Sequence, residues 1–125
     1  MGKAKILYIE DNFDNMTLVK RVLEIEGYEV IQAETGREGL ARATADTPDI
    51  IITDINLPDI DGYEITDALK KNEKTAHIPI IAMTANVMKK DRENVIQAGC
   101  DGFISKPIDI DELPGQIENY LKGKF

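Results

Sequence analysis

Residues 50–58 read Ile-Ile-Ile-Thr-Asp-Ile-Asn-Leu-Pro, a nearly unbroken apolar and β-branched run that contains a single carboxylate, Asp54. A continuous run of this kind between turn residues predicts a β-strand that is buried on both faces. Asp54 would then lie at the carboxyl end of the strand. Because ligands of open α/β sheets bind at that edge, Asp54 is the first candidate for a side chain with a chemical role.

On either side of this strand, apolar strand-like runs alternate with helix-like segments. Such alternation predicts a parallel sheet with helices on both faces, within one α/β domain that spans residues 1–125. A chain of this length has room for one core and is too short for two domains. The predicted strands are residues 4–9, 28–33, 49–54, 78–84 and 101–105, and the predicted helices are residues 14–26, 35–45, 61–71, 88–98 and 109–121.

The composition argues against several classes of protein. The net charge of −8 disfavours nonspecific binding to nucleic acid and docking on anionic lipid. No apolar stretch approaches the ~20 residues that span a bilayer, and the N-terminus lacks the pattern of a signal peptide. The single cysteine, Cys100, excludes an internal disulfide. We therefore expect a soluble cytoplasmic protein.

Chemically useful side chains follow four of the five predicted strands. Glu10 and Asp11 follow the first strand, Asp54 ends the third, Thr84 ends the fourth, and Lys106 follows the fifth. Each residue alone has an ordinary explanation as a helix cap, a strand residue or a solvated lysine. Because parallel strands place their carboxyl ends along one edge of the sheet, we expect these side chains to lie close together.

The residue types in this set indicate a particular chemistry. Neighbouring carboxylates repel each other by roughly 4 kcal/mol per pair at about 4 Å and an effective dielectric constant near 20. They stay ionised together only with a counter-charge, which an oxygen-preferring cation such as Mg²⁺ supplies. A phosphoryl group beside Asp54 would be neutralised by the metal and Lys106, and it would accept a hydrogen bond from Thr84. These residues therefore predict a phosphoryl-transfer site with a carboxylate nucleophile.

Four segments of the chain resemble the receiver domain of two-component response regulators. They read Ile-Glu-Asp-Asn at 9–12, Thr-Asp-Ile-Asn-Leu-Pro-Asp-Ile-Asp-Gly at 53–62, Ile-Ala-Met-Thr-Ala at 81–85 and Gly-Phe-Ile-Ser-Lys-Pro at 102–107. The resemblance covers essentially the whole chain. It implies a flavodoxin-like (βα)5 fold with a doubly wound five-stranded parallel sheet in the order 2-1-3-4-5. It further implies a bacterial signalling protein of the single-domain kind, and we expect no output domain in this chain.

The family implies a role for each acidic residue of the predicted site. Asp54 would accept a phosphoryl group from a histidine on a sensor kinase or a phosphotransfer protein, so the protein would not be an enzyme with a released product. Asp11 and Asp54 would bind Mg²⁺, for which Mn²⁺ can substitute, together with the backbone carbonyl of Asn56. Glu10 would act on the metal through a water molecule.

The resemblance also assigns the residues that hold the phosphoryl group and report it. Thr84 and Lys106 would bind the phosphoryl oxygens, and a cis bond between Lys106 and Pro107 would aim the lysine inward. Phe103 occupies the family's switch-aromatic position, where Tyr or His is more frequent. On phosphorylation Thr84 would move toward the phosphoryl group and Phe103 would swing into the vacated space.

This movement would remodel one face of the molecule, formed by the fourth predicted helix, the fifth strand and the fifth helix. A downstream target protein would bind that face, and we expect the receiver itself to be a monomer or a weak dimer. Direct contact with nucleic acid or a membrane is not expected.

Three other functions remain open. A haloacid-dehalogenase-type enzyme also forms an aspartyl phosphate, but its pattern is Asp-x-Asp, and the second position here is Asn56. A flavodoxin-type electron carrier needs a Ser/Thr/Gly-rich phosphate loop after the first strand, where this chain has Glu-Asp-Asn-Phe-Asp at 10–14, whose three acidic residues would repel a flavin phosphate. The third is a receiver that docks without being phosphorylated, which the complete set of site residues disfavours.

Overall fold

The elements of the protein alternate strand and helix as the sequence predicts. The computed structural model describes residues 4–55, 57–60, 62–85, 93 and 97–123. Of the fourth predicted helix, residues 88–98, most lies outside the described residues, while residues 93 and 97 are helical. The strands are β1 (Lys5–Ile9), β2 (Glu29–Ala33), β3 (Ile50–Asp54), β4 (Ile80–Thr84) and β5 (Gly102–Ser105). The helices are α1 (Phe13–Ile25), α2 (Gly36–Asp46), α3 (Gly62–Lys71) and α4 (Leu113–Leu121).

All five strands form one sheet in the order β2-β1-β3-β4-β5, and every neighbouring pair is parallel. This confirms the predicted flavodoxin-like order. β3 lies at the centre, and all of its residues are buried, as its unbroken β-branched run predicts. β2 lies at one edge, which agrees with its partly alternating burial.

The core consists of two apolar clusters, one on each face of the sheet. In β1, Ile6 and Tyr8 enter the first core cluster, whereas Leu7 and Ile9 enter the second, because successive side chains of a strand point to opposite faces. The first core cluster also holds Met16, Val19 and Leu23 of α1 and Leu113 and Ile117 of α4, and the second holds Ala43 of α2 and Ile65 and Leu69 of α3.

Side-chain caps define the starts of two helices. Asn12 caps α1, where its Oδ1 accepts a hydrogen bond from the backbone N–H of Asn15 at 2.9 Å. Thr35 caps α2 in the same way. Such caps satisfy N–H groups that have no partner within the helix. Within the described part of the chain, no helix is both long enough and apolar enough to cross a membrane.

The last helix begins at Leu113, so the predicted start at residue 109 is wrong. Pro114 has no N–H and cannot bond the carbonyl four residues earlier, which prevents a continuous helix from residue 109. Residues 110–112 form turns instead, and the N–H of Leu113 closes them onto the carbonyl of Asp109 at 3.0 Å. The ends of the other described elements agree with the prediction to within two residues.

Candidate functional site

The strand register brings the predicted site residues to one edge of the sheet. Glu10 directly follows β1, and its N–H bonds the carbonyl of Ala33 at 2.9 Å. Asp54 ends β3 beside β4, where its register partner is Met83, the residue before Thr84. The N–H of Lys106 bonds the carbonyl of Thr84 at 2.8 Å. Each side chain therefore reaches the site from the end of a different strand.

Glu10, Asp11 and Asp54 form an acidic cluster in which one carboxylate oxygen from each residue lies within 4.8 Å of the others. Glu10 is 1% exposed and Asp54 is 5% exposed, whereas Asp11 is exposed. The cluster is therefore buried on the sheet side and opens to solvent at Asp11. An all-oxygen donor set of this size fits Mg²⁺, which binds one or two carboxylates and retains several waters.

Lys106 bridges the two buried carboxylates of the acidic cluster. Its Nζ lies 2.8 Å from Asp54 Oδ2 and 3.1 Å from Glu10 Oε1. Burial lowers the pKa of Lys106, but the hydrogen bonds and charges of Asp54 and Glu10 outweigh that effect and hold the pKa above its usual range. The lysine is therefore a fixed positive charge at neutral pH, directly beside the oxygen atoms of Asp54.

The carboxylate of Glu10 accepts hydrogen bonds from more side chains than the sequence indicated. Its Oε1 accepts hydrogen bonds from Tyr8 Oη at 3.0 Å and from Asn15 Nδ2 at 3.3 Å, in addition to Lys106. Burial and the neighbouring Asp54 raise the pKa of Glu10, and Lys106 opposes that rise. Burial, followed by the charge of Glu10, raises the pKa of Tyr8, so the phenol remains a protonated donor.

Tyr8 and Asn15 were missed in the sequence. For Tyr8 a signal existed, because it lies two residues before Glu10 where the chain leaves β1, and in an extended chain side chains two residues apart point to the same face. For Asn15 no comparable signal existed, because the turn from β1 into α1 determines which way its amide points.

The remaining predicted residues that the structure describes lie at or near the same edge. Thr84 is 6% exposed at the end of β4, and the bond between Lys106 and Pro107 is cis. Phe103 is partly buried against the second core cluster, and its carbonyl accepts a hydrogen bond from Tyr120 Oη at 2.9 Å. Asn56 lies outside the described residues.

The loop between β3 and α3 is fixed by two residues that sequence reasoning did not single out. Asp59 Oδ1 accepts the N–H of Gly36 at 2.8 Å, and its Oδ2 accepts the N–H of Arg37 at 3.0 Å. A Cβ on Gly62 would lie 2.8 Å from the Cα of Ile55, so only glycine allows α3 to begin this close to the end of β3. The loop after Asp54 is thus attached to both α2 and α3.

Known proteins that resemble this chain are receivers and response regulators. The family described as "Response regulator receiver domain" matches residues 6–118. The polar-differentiation response regulator DivK of Brucella ovis is 43% identical over 116 residues, which cover 93% of this chain and 94% of that protein. DivK of Brucella anthropi is 42% identical over the same shares of both chains.

Solved structures agree with the sequence relatives. The chemotaxis response regulator CheY4 of Vibrio cholerae superposes with a TM-score of 0.89 at 29% identity, over 93% of this chain and 97% of that one. The receiver domain of a sensor histidine kinase from Pseudomonas aeruginosa superposes with a TM-score of 0.87 at 34% identity, over 95% of this chain and 98% of that one. That structure has a magnesium ion coordinated in its active site cleft.

These likenesses confirm the family and the fold that the four sequence segments predict. The sequence also predicts a likeness to DivK in particular, most clearly in residues 76–107, and these relatives confirm it. None of the relatives described above is a haloacid dehalogenase or a flavodoxin, and both alternatives lose their support.

Proposed function

The chain belongs to the response regulator receiver domain family of two-component systems, and on that premise we propose that Asp54 accepts a phosphoryl group from a phosphohistidine. The observation that carries the proposal is the 2.8 Å contact between Lys106 Nζ and Asp54 Oδ2 within the acidic cluster. Receivers are signalling proteins, so the product is a modified state of the chain itself.

The transfer would proceed by direct displacement at phosphorus. A carboxylate oxygen of Asp54 forms the new P–O bond as the P–N bond to the histidine breaks, and the departing imidazole takes up a proton. The product is an acyl phosphate on Asp54. Lys106 would stabilise the charge that develops on the phosphoryl oxygens, since it already lies beside the carboxylate and needs little reorganisation. The hydroxyl of Thr84, at the end of the adjacent strand, would donate to another phosphoryl oxygen.

Asp11, Asp54 and the backbone carbonyl of Asn56 would bind the divalent cation, Mg²⁺ or in its place Mn²⁺, and Glu10 would contact it through water. When bound, the cation would offset the negative charge of the cluster and of the incoming phosphoryl group. Support for this assignment comes from the compact oxygen donor set and from the magnesium in the Pseudomonas aeruginosa receiver.

The structural change caused by phosphorylation would pass from Thr84 to Phe103 and then to the surface. Phosphorylation adds about −1.5 to −2 charges at Asp54, and Thr84 would move toward them. Phe103 would then repack, and β5 and α4 would carry the change because Tyr120 of α4 bonds the Phe103 carbonyl. Together with the fourth predicted helix, these elements would form the target-binding face.

The Thr84→Ala variant tests this route. At equal occupancy of the phosphoryl adduct, we expect smaller amide NMR shift changes in β5 and α4 than in the wild type. Changes of wild-type size would contradict a route through Thr84.

The partners follow from the proposed chemistry. A histidine kinase or a histidine phosphotransfer protein would supply the phosphoryl group, and a target protein would read the phosphorylated face. We further propose that the protein acts in the cytoplasm as a monomer or a weak dimer, and that residues 1–125 form one receiver domain.

The experiment that tests the proposed function is incubation with acetyl phosphate, with and without Mg²⁺, followed by intact-mass measurement. We expect a single Mg²⁺-dependent phosphoryl adduct on the wild type and none on Asp54→Asn. Asp49→Asn is the matched control, because Asp49 precedes β3 at the opposite edge of the sheet, and it should be phosphorylated normally. No adduct on the wild type would instead support a receiver that docks without phosphorylation.

A further inference from the structure

The two oxygen atoms of the Glu10 carboxylate differ in the hydrogen bonds that they accept. Its Oε1 accepts Tyr8 Oη at 3.0 Å, Lys106 Nζ at 3.1 Å and Asn15 Nδ2 at 3.3 Å. Among the described residues, its Oε2 accepts one long backbone bond, from the N–H of Asn12 at 3.4 Å. Three donors on one oxygen oppose rotation of the carboxylate, because any rotation breaks several bonds in a buried site.

The three side chains that donate to Glu10 Oε1 differ in charge and in the part of the fold that carries them. Tyr8 is completely buried in the first core cluster, so its hydroxyl approaches Glu10 from within the core. Asn15 belongs to the first turn of α1. Both are neutral and add no positive charge that would compete with a cation. Lys106 is charged and is shared with Asp54.

In the proposed reaction, Lys106 contacts the incoming phosphoryl group and must therefore loosen its contact with Glu10. We propose that Tyr8 and Asn15 are positioning residues that hold the Glu10 carboxylate in its metal-binding orientation, so that Lys106 is released for the phosphoryl group. The inference rests on the proposed function for the role of Lys106, but the orientation of Glu10 affects cation binding before any phosphoryl transfer.

The direct test is the affinity for Mg²⁺ alone, measured by titration calorimetry on Tyr8→Phe, which keeps the aromatic ring and removes only the hydroxyl. Loss of a group that orients a metal ligand weakens metal binding by roughly 10–100-fold. Since Glu10 would act through water, we expect the lower end, about tenfold. Tyr28→Phe is the matched control, because Tyr28 is buried in the same core cluster and is not among the Glu10 donors.

Asn15→Ala is a second, independent variant on the partly exposed side of the site, and it keeps the test decisive if Tyr8→Phe does not fold. Because both donors hold the same oxygen, the double variant should weaken Mg²⁺ binding by a factor different from the product of the two single effects. A general loss of core packing would instead lower the melting temperature without changing the Mg²⁺ affinity.

The outcomes separate this inference from the proposed function. Wild-type Mg²⁺ affinity in both Tyr8→Phe and Asn15→Ala, or no Mg²⁺ binding by the wild type, would overturn the positioning role. Mg²⁺ binding that Tyr8→Phe weakens, in a protein that acetyl phosphate never modifies, would support the positioning role and overturn the phosphoryl acceptor.

Discussion

Two lysine–carboxylate pairs lie at opposite edges of the same sheet, and they differ in how their charges are balanced. At the amino edge, Lys70 Nζ lies 3.0 Å from Asp101 Oδ2 and also donates to the carbonyl of Ile78 at 3.1 Å. The same Asp101 oxygen accepts the N–H of Ile80 at 2.8 Å. One positive charge and one negative charge thus balance each other, and their hydrogen bonds to backbone atoms tie α3 to the starts of β4 and β5.

At the carboxyl edge, one lysine faces an excess of acid. Lys106 contacts both Asp54 and Glu10, and Asp11 completes the acidic cluster. If all three carboxylates are ionised, Lys106 balances one of the three negative charges, and no second cationic side chain among the described residues contacts the cluster. A lysine–carboxylate pair by itself therefore does not distinguish a structural site from a reactive one. The uncompensated charge does, because it requires a cation and allows Lys106 to exchange partners.

The largest expected difference between the pairs is in phosphorylation rate. Lys106→Met removes the charge beside Asp54, and loss of one such stabilising group slows a reaction by about 100-fold or more. Lys70→Met should leave the rate within about twofold of the wild type, since Lys70 is at the other edge. Time courses of the acetyl phosphate adduct by intact mass measure both rates. Equal slowing of the two variants would contradict the distinction.

Magnesium should also distinguish the two lysine variants. Lys106→Met leaves Glu10 and Asp54 without their shared counter-charge, so in EDTA its melting temperature should fall. Because Mg²⁺ binds only the folded site, it stabilises by about 2.7 kcal/mol at about 100 times its dissociation constant. Mg²⁺ should raise the melting temperature of the wild type and of both variants. We expect scanning calorimetry to find that it narrows the difference between Lys106→Met and the wild type and leaves the difference between Lys70→Met and the wild type unchanged. Narrowing of both differences, or of neither, would show that the charges act in some other way.

Lys70→Met should lower the free energy of unfolding by about 1–2 kcal/mol, because it leaves Asp101 and the carbonyl of Ile78 without a charged donor in a partly buried site. Lys71→Met provides the matched control on the neighbouring residue. Lys71 pairs with Asp67 at 2.8 Å on the exposed surface of α3, and such pairs contribute about 0.3–0.5 kcal/mol. Urea denaturation measures the two losses, and similar values would contradict a structural role for the Lys70 pair.

The smallest expected effect concerns the loop that follows Asp54. The backbone N–H groups of Arg37 and Gly36 lower the pKa of Asp59 in the folded protein. Its contribution to stability is therefore present above the unfolded pKa, near 4, and is lost as the pH falls through the folded pKa. The difference in unfolding free energy between wild type and Asp59→Asn should shrink as the pH is lowered from 7 to about 3. A difference that does not change with pH would exclude this charge effect.

Two features could be predicted from short stretches of sequence: the order of strands and helices along the chain, and the edge of the sheet at which the site lies. The run at residues 50–54 is apolar on both faces, and the carboxyl ends of parallel strands coincide, so Asp54, Thr84 and Lys106 could be placed together without coordinates. The strand order itself came from the family resemblance, because periodicity alone does not order a sheet.

Contacts between distant residues could not be predicted in this way. Asp59 is bound by amides 22 and 23 residues earlier, and a turn-forming aspartate gives no indication of such partners. The late start of α4 was predictable in principle, since Pro114 removes a backbone donor, but the apolar periodicity extended the helix too far.

If the excess of acid at the carboxyl edge makes Asp54 the phosphoryl acceptor, the position of the phosphoryl group on the chain will show it. Protein treated with acetyl phosphate and Mg²⁺ would be reduced with borohydride, which converts an aspartyl phosphate to homoserine, and then digested and sequenced by mass spectrometry. We expect homoserine at position 54 alone, and only when Mg²⁺ was present. Homoserine at position 11, or at any other aspartate in place of Asp54, would contradict it.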